Sequence, residues 1–393
     1  MRVGIDASNL RVGGGITHLV ELLRAANPHV HEFDQVTVWG GASILSRLND
    51  RPWLRKVHEP LLDRGLLFRQ YWQRFKVGRL ARDADCNVLF APGGSCRGNF
   101  RPFVTMSRNM LPFEWDEARR YGISWQLLRN AILRRSQSQA FRKADGLIFL
   151  TEYARNGVMR VVKCIDGASA IIPHGIDTRF VHPRRAQRDI GQYSGQRPFR
   201  ILYVSVVEVY KHQWHVAEAV SQLWKAGLPV RLDLVGPAFP PALKRLRGSL
   251  DRLKAADNPI HYHGPISHAD LPRWYRDADL FVFASSCENM PNILLEGMAS
   301  GLPIACSSRG PMPEILGDAG VYFDPEKPQQ IANAIKSLID SPSLRDEKAK
   351  VAHRYVEAFS WQRCADETFR FLAQVVLSAT DGRHVRLFQE GTG

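Results

Sequence analysis

The chain has 393 residues, 45% hydrophobic and 23% charged, a globular balance that excludes a disordered or low-complexity protein and is long enough for two domains facing a cleft. Its net charge of +14 sits mostly in the first half, where Met1–Phe180 holds 27 Lys and Arg against 16 Asp and Glu, while the remainder holds 26 against 23. Six scattered cysteines with no C-x-x-C pair, a start that runs directly into a strand pattern, and no apolar run of about 18 residues together predict a cytoplasmic protein with reduced thiols, neither secreted nor membrane-spanning.

In chain order, Arg2 to Asp6 reads as a strand, Ala7 to Gly15 as a loop and Ile16 to Ala26 as a helix, the opening of a parallel α/β domain. Short apolar runs at Val36 to Trp39, Val88 to Phe90, Phe103 to Met106, Gly146 to Leu150 and Ala170 to Ile172 read as buried parallel strands, with a helix over Ser124 to Lys143. Pro173-His174-Gly175 breaks that series, and the polar stretch 181–199 reads as an interdomain linker after a first domain spanning 1–180.

A second series occupies 200–360. Strands are predicted at Arg200 to Val207, Val230 to Val235, Ile260 to His263, Leu280 to Ala284, Pro303 to Cys306 and Val321 to Phe323, alternating with helices at Trp214 to Ala226, Leu271 to Ala278, Asn292 to Ser300 and Pro328 to Asp340. Both halves are therefore α/β, doubly wound and Rossmann-like. A last helix over 361–380 is long enough to pack back on the first domain.

Ligands of open α/β sheets bind beyond the carboxyl ends of the strands, and the richest such loop is Ser285-Ser286-Cys287-Glu288-Asn289-Met290-Pro291-Asn292. Pro291 suits the first turn of a helix, whose free amides and positive dipole end would face a pyrophosphate. Glu296 falls in that helix and Glu288 just before it. Carboxylates accept vicinal hydroxyls, which suits Glu296 to a ribose and Glu288 to a sugar; alternatively Glu288 merely favours the helix dipole and Glu296 is a solvated helix residue. The run Gly13-Gly14-Gly15 after the first strand allows a phosphate or acceptor to approach the backbone at Gly14 and Gly15, or serves only as a flexible turn; it is not a G-x-G-x-x-G dinucleotide fingerprint.

The run "FVFASSCENMPNILLEGMASGLPIAC" from Phe281 resembles the donor-site signature of the retaining, GT-B-fold glycosyl transferases group 1 family, and "IIPHGID", "LYVSVVEVYKHQ", "LDLVGP" and "HYHGPIS" follow in that family's order. The resemblance is dense over the second half of the chain and sparse over the first. It implies a GT-B architecture and transfer of a sugar from a nucleotide-diphosphate sugar to a hydroxyl acceptor, with retention and without an essential metal or other cofactor. Under it Glu296 binds the ribose and Glu288 the donor sugar, Asn289, Met290, Pro291 and Asn292 bind sugar and phosphates, Lys211 neutralises the diphosphate, and Gly236, Gly264 and Ile266 line the base pocket. A lysine at a helix start opposes the dipole, so a merely structural Lys211 is disfavoured.

Two positions depart from the family: Arg108 stands where many members carry a histidine, and Val206 where an arginine is usual. Arg108 is expected to restore part of the missing charge from across the cleft. The departures keep open a catalytically silent sugar-nucleotide binding protein, beside a GT-B-fold epimerase or phosphorylase. Retention would proceed by front-face attack, so Glu288 and Glu296 are not a hydrolase's acid and base.

Charge favours an anionic partner, and no nucleic-acid recognition motif accompanies it. Between Leu61 and Arg82, Phe68, Tyr71, Trp72 and Phe75 interleave with Arg64, Arg69, Arg74, Lys76, Arg79 and Arg82, the composition of a helix lying on an anionic bilayer, or of a core helix with a basic solvated face. A saccharide or lipid-linked saccharide acceptor at the inner face of the cell membrane fits the first of these.

Overall fold

The computed structural model describes residues 1–10, 13–94, 98–253 and 259–380. The chain forms two units: Met1–Glu114 with Ser124–Gly175 and Ser360–Gly393, and Trp115–Ile123 with Ile176–Phe359.

The first unit is a seven-stranded parallel sheet of β1 (Arg2–Asp6), β2 (Gln35–Gly40), β3 (Leu54–His58), β4 (Val88–Ala91), β5 (Phe103–Met106), β6 (Gly146–Phe149) and β7 (Ala168–Ile171), in the order β3-β2-β1-β4-β5-β6-β7. Every residue of β4, β5 and β6 is buried, which is why these strands are continuous apolar runs. β3, at one edge, is half exposed and carries Arg55, Lys56 and His58; its polar composition hid it from the sequence reading. The last helix, Trp361–Thr380, packs in this unit, its Trp361 ring 5.7 Å from His18 and its Phe369 ring 6.0 Å from Phe33. Gly175 permits that approach, since a Cβ there would lie 2.1 Å from the Trp361 nitrogen.

Two expectations for this unit are corrected. Helix Gly14–Ala25 begins at Gly14, with Gly13 as its N-cap at φ 70°, so Gly14 and Gly15 form its first turn instead of a loop. The stretch 61–82 is no single amphipathic helix: Leu66–Tyr71 is α-helical, Trp72–Lys76 is a π turn and Val77–Asp83 is α-helical again. The wider turn brings consecutive side chains inward, so that Trp72 Nε1 donates to Asp6 Oδ1 at 3.2 Å and Gln73 Nε2 to Asp6 Oδ2 at 3.1 Å. These bonds satisfy a carboxylate buried at the end of β1.

The second unit is a six-stranded parallel sheet of β8 (Phe199–Val204), β9 (Val230–Val235), β10 (Ile260–Tyr262), β11 (Leu280–Phe283), β12 (Ile304–Ser307) and β13 (Gly320–Phe323), in the order β10-β9-β8-β11-β12-β13. Successive strands run one way from β8 and the other way from β11, so the topological switch lies between those two, registered Leu280 to Ile201 and Phe281 to Leu202.

Residues 181–199 are part of this unit and do not form a free linker. Ser300 Oγ donates to the Phe180 carbonyl at 3.1 Å, and the His182 amide donates to Ala299 at 3.1 Å. The fully buried Arg345 donates to Gln187 Oε1 at 3.0 Å, to the Arg188 carbonyl, and to the carbonyls of Leu338 and Ile339 at 2.6 and 2.7 Å, where helix Pro328–Asp340 ends. A guanidinium is suited to that place because it supplies several donors in a fixed fork to backbone groups that would otherwise be stranded.

Candidate functional site

The switch point is where the loops after β8 and β11 meet, and it brings together the residues singled out there. Lys211, on the first loop, is buried and ion-paired with Glu288 on the second. Its ammonium also lies 5.1 Å from the centre of the Phe283 ring and 5.5 Å from that of Tyr210, contacts that favour a cation removed from water. The Tyr203 hydroxyl donates to the Lys211 carbonyl at 2.5 Å and fixes the loop. Helix Asn292–Ala299 follows Glu288, with Pro291 in extended conformation as its N-cap residue instead of inside its first turn. Asn289 and Met290 are buried beside it.

Several polar atoms at this point are buried without a hydrogen-bond partner among the described residues: Asn292 Oδ1, His212 Nδ1, Gln213 Oε1 and Trp214 Nε1. Native proteins seldom strand such groups, and their concentration at the starts of helices Gln213–Lys225 and Asn292–Ala299 is what a place built for a ligand would show. Gly236, at φ 141°, belongs to the same carboxyl edge. A Cβ there would lie 2.1 Å from the Ser205 carbonyl, so only glycine fits, and its amide donates to Gly264 at 2.8 Å. Gly236 and Gly264 are thus side by side, with Ile266 half-buried two residues further on.

Glu296 is buried, not solvated. Its Oε2 accepts from the Tyr275 hydroxyl at 2.9 Å. Burial pushes its pKa up to about 7, partly offset by the Tyr275 bond. Asp177 and Arg179, from the "HGID" stretch and beyond, lie close enough to act on it electrostatically, and Arg179 pairs with Asp177 at 2.6 Å.

A charged cluster beside the Lys211 loop was not foreseen. Ser286 Oγ donates to Glu117 Oε2 at 2.6 Å and meets His212 Nε2 at 2.9 Å. Glu117 pairs with Arg120 at 2.7 Å, Arg120 with Glu326 at 2.6 Å, and Arg309 with Asp324 at 2.8 Å and Glu326 at 2.5 Å. Hydrogen bonds from Arg120 and Arg309 hold the Glu326 carboxyl down to about 2, while burial lowers His212 to about 3 and keeps its imidazole neutral. Arg309 follows β12 at the same sheet edge, a signal the sequence offered; Glu117 and Arg120 come from the first half of the chain, which offered none.

Arg108 lies in the first unit. Its guanidinium donates to the carbonyls of Gly14 at 2.6 Å and Gly15 at 3.3 Å, so the structure joins three of the predicted residues to one another. Burial lowers its pKa to about 10. Beside it His18 and His174 meet through their Nδ1 atoms at 2.9 Å, both held well below an ordinary histidine by burial first and by the Arg108 charge next, hence neutral. Among the described residues, no three or more His, Cys, Asp or Glu side chains are grouped to hold a metal ion.

Two parallel α/β units, the second with its polar loops gathered at a switch point, define the GT-B architecture. Residues 198–341, which supply most of the second unit, match the family model described as Glycosyl transferases group 1. Among curated proteins the chain is 29% identical over 245 residues to a GDP-mannose-dependent alpha-(1-6)-phosphatidylinositol dimannoside mannosyltransferase of Mycobacterium tuberculosis, covering 61% of this chain and 60% of that one. It is 26% identical over 214 residues to a D-inositol 3-phosphate glycosyltransferase of Paenarthrobacter aurescens, covering 52% of each. The chain thus spans little more than half the length of these relatives. In fold it is similar to the sucrose-phosphate synthase of Thermosynechococcus elongatus, with a TM-score of 0.74 and 17% identity over 98% of this chain and 100% of that one.

Proposed function

We propose that the protein transfers a sugar from a nucleotide-diphosphate sugar to a hydroxyl acceptor with retention of configuration. One observation carries the reading: within the family-matched segment, Lys211 is buried against Glu288 at the mouth of helix Asn292–Ala299. In the proposed complex the Lys211 ammonium and the start of that helix stabilise charge on the departing diphosphate, in place of a metal. Glu288 orients the donor sugar and Asn292 Oδ1 gains a partner. Glu296 accepts the ribose hydroxyls, and the sheet edge at Gly236 and Gly264 takes the base. The acceptor attacks on the face the diphosphate leaves, a phosphate oxygen takes its proton, and no protein nucleophile is required.

The test is a donor screen with UDP-, GDP-, ADP-, dTDP- and CMP-sugars, led by GDP-mannose because the Mycobacterium tuberculosis relative is named for it. It is read as thermal stabilisation and as turnover with and without EDTA. Stabilisation by one nucleotide class, lost in Glu296→Ala, supports the donor site; transfer unaffected by EDTA supports metal independence. No response to any donor refutes the reading. A second reading, a silent sugar-nucleotide binding protein, is favoured by Val206 and by an Arg108 whose hydrogen bonds go to backbone carbonyls. It predicts stabilisation without turnover.

The acceptor is proposed to be a saccharide, lipid-linked or at a membrane surface. In the first unit Leu67 is 77% and Phe75 64% exposed among Arg64, Arg69, Arg74 and Lys76. Helix Trp125–Lys143 turns Trp125, Leu128 and Ile132 to solvent while burying Asn130, Gln137 and Ser138. Apolar groups displayed among cations suit a bilayer with anionic headgroups, although no helix among the described residues is long and apolar enough to cross one. Flotation with phosphatidylglycerol vesicles, abolished by Leu67→Glu with Phe75→Glu, is the expected outcome; no flotation of the wild type refutes it.

A further inference from the structure

The second unit has a cavity of about 410 Å³ at the end of its sheet opposite Lys211 and Glu288. It opens where β8 and β11 begin, between Arg200, Asp279 and the segment 185–198. The four residues of β11 separate Asp279 from the loop that carries Glu288, roughly 13 Å of extended chain, so the two places are distinct.

Its lining holds four arginines, Arg185, Arg188, Arg197 and Arg200, against two aspartates, Asp277 and Asp279. The aspartates are engaged. Asp279 accepts from the Tyr193 hydroxyl at 3.0 Å and from the Arg200 amide at 2.9 Å, and Asp277 lies 3.6 Å from Arg276. Three of the arginines are not. Among the described residues no carboxylate lies within ion-pair distance of the Arg185, Arg188 or Arg197 guanidinium, while Arg200 pairs through Nη2 with Asp233 at 3.2 Å and leaves its buried Nε without a partner.

The wall is held in place from behind. Arg345, wholly buried, donates to Gln187 and to the Arg188 carbonyl and lies 5.3 Å from the centre of the Phe199 ring, so residues 187 and 188 are fixed by the core and do not hang as a loose loop. Nothing in donor binding uses these groups, yet a buried arginine is spent on ordering a wall that gathers three others.

We infer that this cavity is a second ligand site, for a phosphorylated small molecule of sugar-phosphate size. Guanidinium forks match phosphate oxygens in bidentate geometry, and three arginines on the lining of this one cavity, Arg185, Arg188 and Arg197, have no carboxylate partner among the described residues. The Tyr193 hydroxyl, which donates to Asp279, has lone pairs left to accept from a hydroxylated body, and the volume falls within the range of small-ligand pockets. The site does not depend on the donor reading.

The experiment is calorimetric titration of the full chain with inorganic phosphate, pyrophosphate and glucose 6-phosphate, with glucose as the neutral control. It is repeated in Arg188→Glu with Arg197→Glu, an exposed pair whose reversal leaves the core intact, and in Glu296→Gln. The expected result is saturable binding of a phosphate-bearing probe but not of glucose, weakened by at least about tenfold in the double variant and unchanged in Glu296→Gln. Equal affinity in wild type and double variant, or no binding of any phosphate-bearing probe, overturns the site. Loss in Glu296→Gln alone would assign the binding to the donor region instead. Capture by phosphatidic acid vesicles that depends on Arg188 and Arg197, with no binding of soluble probes, would overturn the soluble ligand in favour of a lipid headgroup.

Discussion

Replacing Glu296 by glutamine should stabilise the protein, by an amount that grows as pH rises from about 4.5 to 7 and is level above it. Burial raises the Glu296 carboxyl to about 7 from an ordinary 4.5, against the lowering effect of the Tyr275 hydroxyl. Between those values the folded protein holds a proton that the unfolded chain has released, so its stability is fully present below 4.5 and falls as pH rises through 7. At about 1.4 kcal/mol for each tenfold change in proton activity, the loss accumulated by pH 8 is about 3 kcal/mol. Glu296→Gln keeps the shape and an acceptor for Tyr275 but does not titrate. Urea unfolding of both proteins should coincide near pH 4.5 and separate progressively above it, the variant gaining about 3 kcal/mol by pH 8. For a unit of this size that corresponds to a rise of about 6 to 12 °C in its thermal midpoint. Taking the difference between the two proteins cancels every other titrating group. A difference that stays flat with pH would refute the argument, because Glu296 would then ionise as a solvated carboxyl.

The same cost explains why such a residue would be retained at a ribose site. Ionised and desolvated, it lacks the hydrogen-bond donors that a pair of hydroxyls would supply, so part of the strain stored in the free protein returns as binding energy. Nucleotide affinity should therefore rise as pH increases from 6 to 8 in the wild type and stay level in Glu296→Gln.

Lys211→Met should cost about 3 kcal/mol in urea unfolding, because it leaves Glu288 half-enclosed without its cation, and Glu288→Gln in the same chain should recover much of that; a double variant no more stable than Lys211→Met would break the pairing argument. Arg345→Met should cost a similar amount, about 3 kcal/mol, by stranding the carbonyls of Leu338 and Ile339, and it should expose the 184–188 segment to trypsin at a rate the wild type resists; unchanged cleavage would mean that other contacts hold the segment.

What could be read from the chain follows from how locally each feature is determined. β5 and β9 and helix Pro328–Asp340 were expected at their observed bounds: β5 is fully buried, β9 keeps a buried apolar set around Arg231 and Asp233, and the helix is punctuated by proline at its start and Ser341-Pro342 at its end. β3 failed the same test because an edge strand need bury only half of itself. Glu288 was legible for a related reason, since it stands on the first loop beyond a strand; Lys211 was singled out by the family resemblance, and the winding of the sheet brings its loop to that of Glu288.

Features that depend on distant partners were not legible. The π turn at Trp72 arises because Asp6, more than sixty residues away, needs two donors on one side. Arg345 looks like a solvated helix cation, and only the four backbone and side-chain acceptors around it reveal a core residue that draws 181–199 into the second unit. The widest gap concerns Trp115–Ile123, which in chain order belongs to the first half yet sits in the second unit. Glu117 reaches Ser286 across 169 positions and Tyr121 reaches Glu208 across 87. No periodicity encodes such a return. The burial of Glu117, its bond to a serine three residues before Asn289, and the arginines that neutralise it mean that the Lys211 loop is braced by chain from the other half. A change at Glu117 would thus be felt at the candidate donor site although nothing in its sequence neighbourhood points there.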